Sequence, residues 1–235
     1  MLGVGVFSGA AATVIGFGIG SLLTPLVAAR HGTATAIAAV TIPHALATGL
    51  RCWRLRSGID PEVAVRFGVP SAIGGLAGAW AYTRLGSAAL TRALGVLLLL
   101  TAAGQLTGWT TRWRPRGTIA SVLGLCSGFF GGLAGNQGGL RAGALSGFDL
   151  TPAQFVATAT VVGLIVDAVR TPVYLLAAGS EIASLWLPIT AAAIGVLTGT
   201  LLGERVLMGM PPERFRRLLG IGIGVLGAWL VFGVR

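Results

Sequence analysis

Asp167 and Arg170 stand three residues apart inside an otherwise apolar run. At that spacing two side chains share a helix face and can pair. Such a pair could exchange a proton or couple to an anion. It could equally be a structural ion pair, or Arg170 could reach along its own stem to a polar interface. His44, next to Pro43 in another apolar run, has an ordinary pKa of about 6.5, which suits proton relay. A neutral histidine bonded to a carbonyl is the plain alternative. A third group is Gly135-Asn136-Gln137-Gly138-Gly139, followed by Arg141. A helix broken here exposes backbone N–H groups at the start of the next half-helix, whose partial positive charge attracts anions. Asn136 and Gln137 add side-chain donors, Arg141 adds a full charge, and Gly138 and Gly139 allow close approach of a ligand to the backbone. An oxyanion suits that set. Gly16-Phe17-Gly18-Ile19-Gly20 offers a second such break. The competing reading is that these glycines only let helices pack closely.

The two breaks belong to an internal repeat. A shift of 119 positions carries Gly5, Ser8, Gly9, Gly16 and Gly20 onto Gly124, Ser127, Gly128, Gly135 and Gly139. It also carries Ala34, Ala38, Thr41 and Arg51 onto Ala153, Ala157, Thr160 and Arg170. Asp167 falls opposite Thr48, so an acid–base role would belong to one half only. Arg51, at the end of its apolar run in a basic loop, reads as a topological signal. The organisation expected is a first repeat over 1–108, a basic connecting loop over 109–116 and a second repeat over 117–235.

The elements that must position these residues are membrane helices. Of 235 residues 54% are hydrophobic and 10% charged, against about 25% charged in a soluble domain. Mean hydropathy is +0.84. Apolar runs reach the roughly 20 residues that cross a hydrocarbon core, whereas a membrane β-barrel would show short alternating segments. The net charge of +10 comes from arginines alone. They cluster at the ends of apolar runs, where they set orientation rather than bind nucleic acid. The spans expected are 2–29, 33–50, 62–82, 88–107, 117–148, 153–178, 183–203 and 214–234. Met1 leads straight into an apolar run, with no cleavable signal peptide expected. Trp109 and Trp113, beside arginines, read as interfacial anchors.

The glycine-rich spans are too long for one straight crossing: at 1.5 Å per residue, 117–148 would extend roughly 48 Å. Each is therefore a broken helix or a re-entrant hairpin. If both are re-entrant, the loops carrying Arg51, Arg54 and Arg56, then Arg112, Arg114 and Arg116, then Arg205, Arg214, Arg216 and Arg217 share one side. The positive-inside rule prefers that arrangement. It leaves three crossings per repeat and so inverts one half against the other, a recurring design of secondary transporters.

Several chemistries lack their signatures. Cys52 and Cys126 match no zinc or CxxC spacing, and no cluster has metal-ligand spacing. No GxSxG elbow occurs, and an intramembrane hydrolase using Ser8 or Ser127 with His44 lacks a recognisable nucleophile–base spacing. Cys126, inside the second glycine-rich span, could meet a sulfur-containing substrate but reads better as a small packing residue. No cofactor is expected.

The paired breaks at 16–20 and 135–139, each following a Ser-Gly-containing span in two similar halves, resemble the sulfite exporter TauE/SafE family. The likeness covers nearly the whole chain. Phe17 and Ile19 interrupt the fuller glycine run usual in the first half of the family, and Asn136-Gln137 replace part of the second. The resemblance implies a multi-pass permease of the bacterial inner membrane. It would move small sulfur-containing anions such as sulfite, sulfonates or thiosulfate, with protons as a coupling ion and a homo-oligomer as one possible assembly. An anion channel and a non-transporting scaffold subunit are the alternatives.

Overall fold

A computed structural model describes residues 1–15, 18–108, 115–207 and 212–233. Gly16, Phe17, Trp109, Arg112, Trp113, Arg114 and most of the basic connecting loop lie outside the described residues. The described chain is helical, with no strand among those residues. In order the helices are α1 Leu2–Ile15, α2 Ile19–His31, α3 Thr33–Leu55, α4 Pro61–Arg84 and α5 Ser87–Thr107. Then come α6 Thr118–Ala134, α7 Gly138–Leu145, α8 Pro152–Ser184, α9 Trp186–Leu207 and α10 Pro212–Ala228, which runs on into a π turn over Trp229–Gly233. The expected spans 2–29 and 117–148 are each two helices. Among the described residues, four helical stretches are long and apolar enough to cross a membrane: Thr33–Gly58, Ser87–Thr107, Pro152–Ser184 and Trp186–Gly203.

Local sequence accounts for the boundaries. Asp60 caps α4 by accepting from the Val63 N–H at 2.9 Å, with Pro61 in the first turn, where a missing N–H costs nothing. Thr151 and Gln154 form a capping box at the start of α8, each satisfying an amide that would otherwise lack a partner. Helix α6 stops at Gly135, whose φ of 69° is left-handed and whose N–H returns to the Gly131 carbonyl at 3.0 Å. That conformation is open to glycine at no steric cost.

Each broken span doubles back on itself. Met1, at the start of α1, shares a pocket with Val27 and His31 at the end of α2. Gly147, just past α7, lies against the backbone of Pro115, just before α6. Both are therefore hairpins, α1–α2 and α6–α7, with their tips inside the bundle.

The helix pairings come in couples related by the 119-residue shift. Helix α1 packs along α9, and α4 along α6, and these are the two most extensive interfaces. Both are close backbone contacts through glycine. A Cβ on Gly9 would run into the Val196 carbonyl and one on Gly199 into that of Val6. In the second interface, Gly74, Gly78, Gly128 and Gly132 stand against the carbonyls of Leu125, Phe129, Ser71 and Gly75. Without a hydrophobic force between helices in lipid, such small-residue faces are what brings backbones together. The packing reading of glycine thus applies to Gly5, Gly9, Gly124 and Gly128.

Equivalent long helices run antiparallel. Along α3 and α8, Gly58 meets Ala157 and Gly49 meets Leu164, while Ile37 shares a core with Tyr174 and Ile182. Along α5 and α10, Gly95 meets Gly227 and Gly220 meets Leu106. Hairpin α1–α2 therefore opens at the end of the bundle where α3 begins, and hairpin α6–α7 at the end where α8 begins. The outer surface is apolar: Leu176 is 90% exposed and Phe232 77%. Near the helix ends Arg84 lies 4.8 Å from the ring centre of Trp80 and Arg56 5.5 Å from that of Trp53. Such arginine–tryptophan pairs suit a headgroup boundary.

Candidate functional site

The two hairpin tips meet in the middle of the bundle. Gly18 opens α2 with φ 138° and Gly135 closes α6 with φ 69°. Gly20 faces the Gly135 carbonyl so closely that a Cβ on it would lie 2.6 Å from that oxygen. Beside this contact Ser21 Oγ donates to Asn136 Oδ1 at 3.1 Å. Between the tips is a small cavity, with room for about one water molecule. The first hairpin lines it with Gly18, Gly20 and Ser21, the second with Gly135, Asn136, Gln137, Gly138 and Arg141. His44 and Arg170 complete the wall.

The amides facing this space are buried and incompletely bonded. Asn136 is 4% and Gln137 5% exposed, and Asn136 Nδ2, Gln137 Nε2 and Gln137 Oε1 have no partner. A buried amide without a partner costs roughly 1–3 kcal/mol, so three such atoms on one cavity suit a polar guest. Arg141 is also buried, in α7. Its guanidinium has room because residue 163 is glycine: a Cβ there would lie 2.6 Å from Nη1.

Asp167 organises the back of the site. Its Oδ1 accepts from Arg170 Nε at 3.0 Å and lies 2.8 Å from Nη2, so both guanidinium nitrogens reach one oxygen. Its Oδ2 is 2.6 Å from His44 Nδ1, and Thr48 Oγ1 is 3.4 Å from the same nitrogen. Asp167 is 1% and Arg170 2% exposed, and the His44 side chain is half-buried beside them at 13%. Arg170 Nη1 donates on to the Gly131 carbonyl and Tyr174 Oη to that of Gly132. These carbonyls belong to the last turn of α6, where the partial negative charge of the helix end favours a cation; that of Gly131 accepts the Gly135 N–H as well.

The first half repeats this arrangement with a difference. Arg51 Nη1 donates to the Ala12 carbonyl in the last turn of α1, and Ala12 and Arg51 map by the shift onto Gly131 and Arg170. Arg51 is 3% exposed. The expectation of a topological arginine in a loop is therefore corrected: α3 continues through Arg51 to Leu55, and the guanidinium caps a hairpin. Among the described residues, three buried guanidinium groups, those of Arg51, Arg141 and Arg170, share this region with one buried carboxylate, Asp167.

Of the residues singled out in the sequence, Gly18, Gly20, His44, Asn136, Gln137, Gly138, Arg141 and Arg170 line the cavity, with Asp167 directly behind. Gly139 packs against Thr101, a Cβ there lying 2.8 Å from Oγ1. Ser21, Gly135 and Arg51 were missed as site residues, although the repeat already placed Arg51 on Arg170. The serines weighed as nucleophiles donate elsewhere, Ser8 to the Val4 carbonyl at 2.7 Å and Ser127 to that of Gln137 at 3.5 Å. Cys126 is exposed on the outer surface of α6 rather than packed.

A protein-family model described as Sulfite exporter TauE/SafE matches residues 1–230. Neither a curated protein nor a solved structure matches the chain.

Proposed function

The chain belongs to the sulfite exporter TauE/SafE family of membrane transporters, and from that premise we propose that it is a secondary transporter of small sulfur-containing oxyanions. The site would be the junction of the two hairpin tips, in the inner membrane of a bacterium. One observation carries this reading: among the described residues the tips are bordered by buried arginines, one of them on the cavity wall beside the Asp167–Arg170 pair, and by amide groups of Asn136 and Gln137 without partners. An oxyanion would bring negative charge to this basic region and acceptors for the Asn136 Nδ2 and Gln137 Nε2 donors. Sulfite, a sulfonate and thiosulfate share that chemistry.

The antiparallel course of α3 against α8, and of α5 against α10, supports two inverted repeats with re-entrant hairpins entering from opposite membrane faces. On that topology the ends bearing Arg54, Arg56, Arg116, Arg214 and Arg217 face the cytoplasm. The cavity is too small for a four-atom oxyanion as it stands. Binding therefore requires the tips to part, and rocking of one hairpin assembly against the other would open the site to alternate sides. His44 and Asp167 supply the coupling. An anion arriving beside them favours the protonated imidazole, and its departure favours release of that proton.

The test is flux of sulfite, thiosulfate and sulfoacetate into proteoliposomes, with and without an imposed pH gradient. Uptake driven by the gradient, and lost in Arg141→Ala while the variant purifies normally, is the expected result. Flux indifferent to the gradient and linear with concentration would indicate a channel. Absence of flux for any anion would overturn the reading.

A further inference from the structure

Resting on the anion-carrier reading above, we infer that Gln137 makes the site prefer oxyanions that carry a hydrogen-bond donor of their own, a hydroxyl or amino group on the sulfur, over those that offer acceptors alone. The preference follows from an inventory of the cavity wall. Ser21 donates to Asn136 Oδ1 at 3.1 Å, which leaves Asn136 Nδ2 as a donor. Gln137 differs, because among the described residues neither its Nε2 nor its Oε1 has a partner. Turning that amide over exchanges the two atoms and changes nothing: one donor group and one acceptor remain. Both residues line the cavity and are buried.

The fold makes no local use of this amide. Gln137 stands at the N-cap of α7, yet its side chain makes no capping bond. Its backbone carbonyl accepts from the Arg141 N–H at 2.9 Å. Its stem lies against α6 where residue 131 is glycine: a Cβ there would lie 3.0 Å from Gln137 Cδ. The amide is thus held at the hairpin tip with its acceptor unanswered. A guest made only of acceptors can take hydrogen bonds from Asn136 Nδ2 and Gln137 Nε2, but it sets oxygen against Oε1. A buried polar group left unpaired is costly, and a site built to bond a donor rejects the analogue that lacks it. An oxyanion bearing O–H or N–H satisfies all three atoms. Sulfite carrying one proton on oxygen is a guest of this class, whereas a simple alkyl sulfonate is not.

Sulfamate and methanesulfonate isolate the donor. Each is a monoanion with one sulfonate group, and they differ in an amino against a methyl group on the sulfur. They are measured as competitors of sulfite or thiosulfate uptake into proteoliposomes, whichever anion moves faster. In the unaltered protein the inhibition constant for sulfamate should be about tenfold lower than that for methanesulfonate. Gln137→Met keeps the length of the side chain without the amide and should bring the two constants together, chiefly by weakening sulfamate. A ratio that Gln137→Met leaves unchanged while uptake falls is the result of a purely structural Gln137 and overturns the inference. If Gln137→Met does not fold, Gly131→Ala takes its place: the added methyl presses on the Gln137 stem and should narrow the same ratio, and an unchanged ratio there also overturns the inference. Uptake of neither anion by the unaltered protein would overturn the carrier reading and this one together. Uptake that sulfamate inhibits no better than methanesulfonate overturns this one alone, since water or protein then serves Oε1.

Discussion

Gly20→Ala isolates the junction of the hairpins. A methyl at this position would place its carbon 2.6 Å from the Gly135 oxygen, where carbon and carbonyl oxygen ordinarily stand about 3.3–3.6 Å apart. The tips must separate by roughly 0.7–1 Å, because both atoms belong to backbone or to a carbon fixed on it. Overpacking of this kind costs about 1–3 kcal/mol, and a displacement of 1 Å in a site that depends on geometry costs about a hundredfold in rate. The site would loosen while the glycine interfaces that hold the bundle, α1 with α9 and α4 with α6, stay untouched. We therefore expect normal expression, a modestly lowered Tm and anion flux reduced at least about tenfold. Gly222→Ala is the control, since nothing lies within 4 Å of a Cβ there. Both variants would be compared in proteoliposomes at matched protein density, with Tm measured in detergent. Unchanged flux in Gly20→Ala would refute the claim that the contact between tips forms the working site.

Three further outcomes follow from the same packing. Gly163→Ala should push the Arg141 guanidinium out of place, since the new carbon would lie 2.6 Å from Nη1. KM for the anion should rise severalfold with Tm almost unchanged. Gly128→Ala drives a methyl into the Ser71 carbonyl across the α4–α6 interface. There both sides are backbone, so loss of folded protein on size-exclusion chromatography is expected rather than a kinetic defect. Asp167→Asn removes the carboxylate from two buried partners and should destabilise by about 3–5 kcal/mol. Whatever folds should show flux that no longer follows a pH gradient.

Much of this arrangement can be read from residue types. Asp167 and Arg170 announce themselves by cost and spacing, and their pairing follows from helix periodicity alone. The breaks are visible because glycine runs of that length do not continue a helix, and arginine placement already favours hairpins over crossings. Arg51 misled because a basic residue at the end of an apolar run ordinarily marks an interface. Only the course of α3 to Leu55 and the fold of α1 bring it beside the Ala12 carbonyl. Ser21 was hidden for a similar reason. A serine one residue past a glycine break carries no signal until Asn136, 115 positions away, arrives against it. The distinction between glycines that pack and glycines that line the cavity is likewise tertiary. Gly128 and Gly138 look alike in sequence, and what separates them is which neighbour stands opposite.

The exchange of partners between halves has a consequence for how the protein is made. Helix α1 is synthesised well before α9, yet its glycine face is matched by α9, and Thr13 bonds to the Thr200 carbonyl 187 residues later. At about 5–20 residues per second, roughly 10–40 s pass between synthesis of the two. Throughout that interval the first hairpin has an unmatched small-residue face and a tip whose counterpart, Asn136, is also late. The nascent chain must hold this segment at the membrane surface, or shelter it with an insertion factor, until α9 is delivered. Truncation before Trp186 should therefore leave α1 open to protease, even though everything N-terminal to the cut is intact.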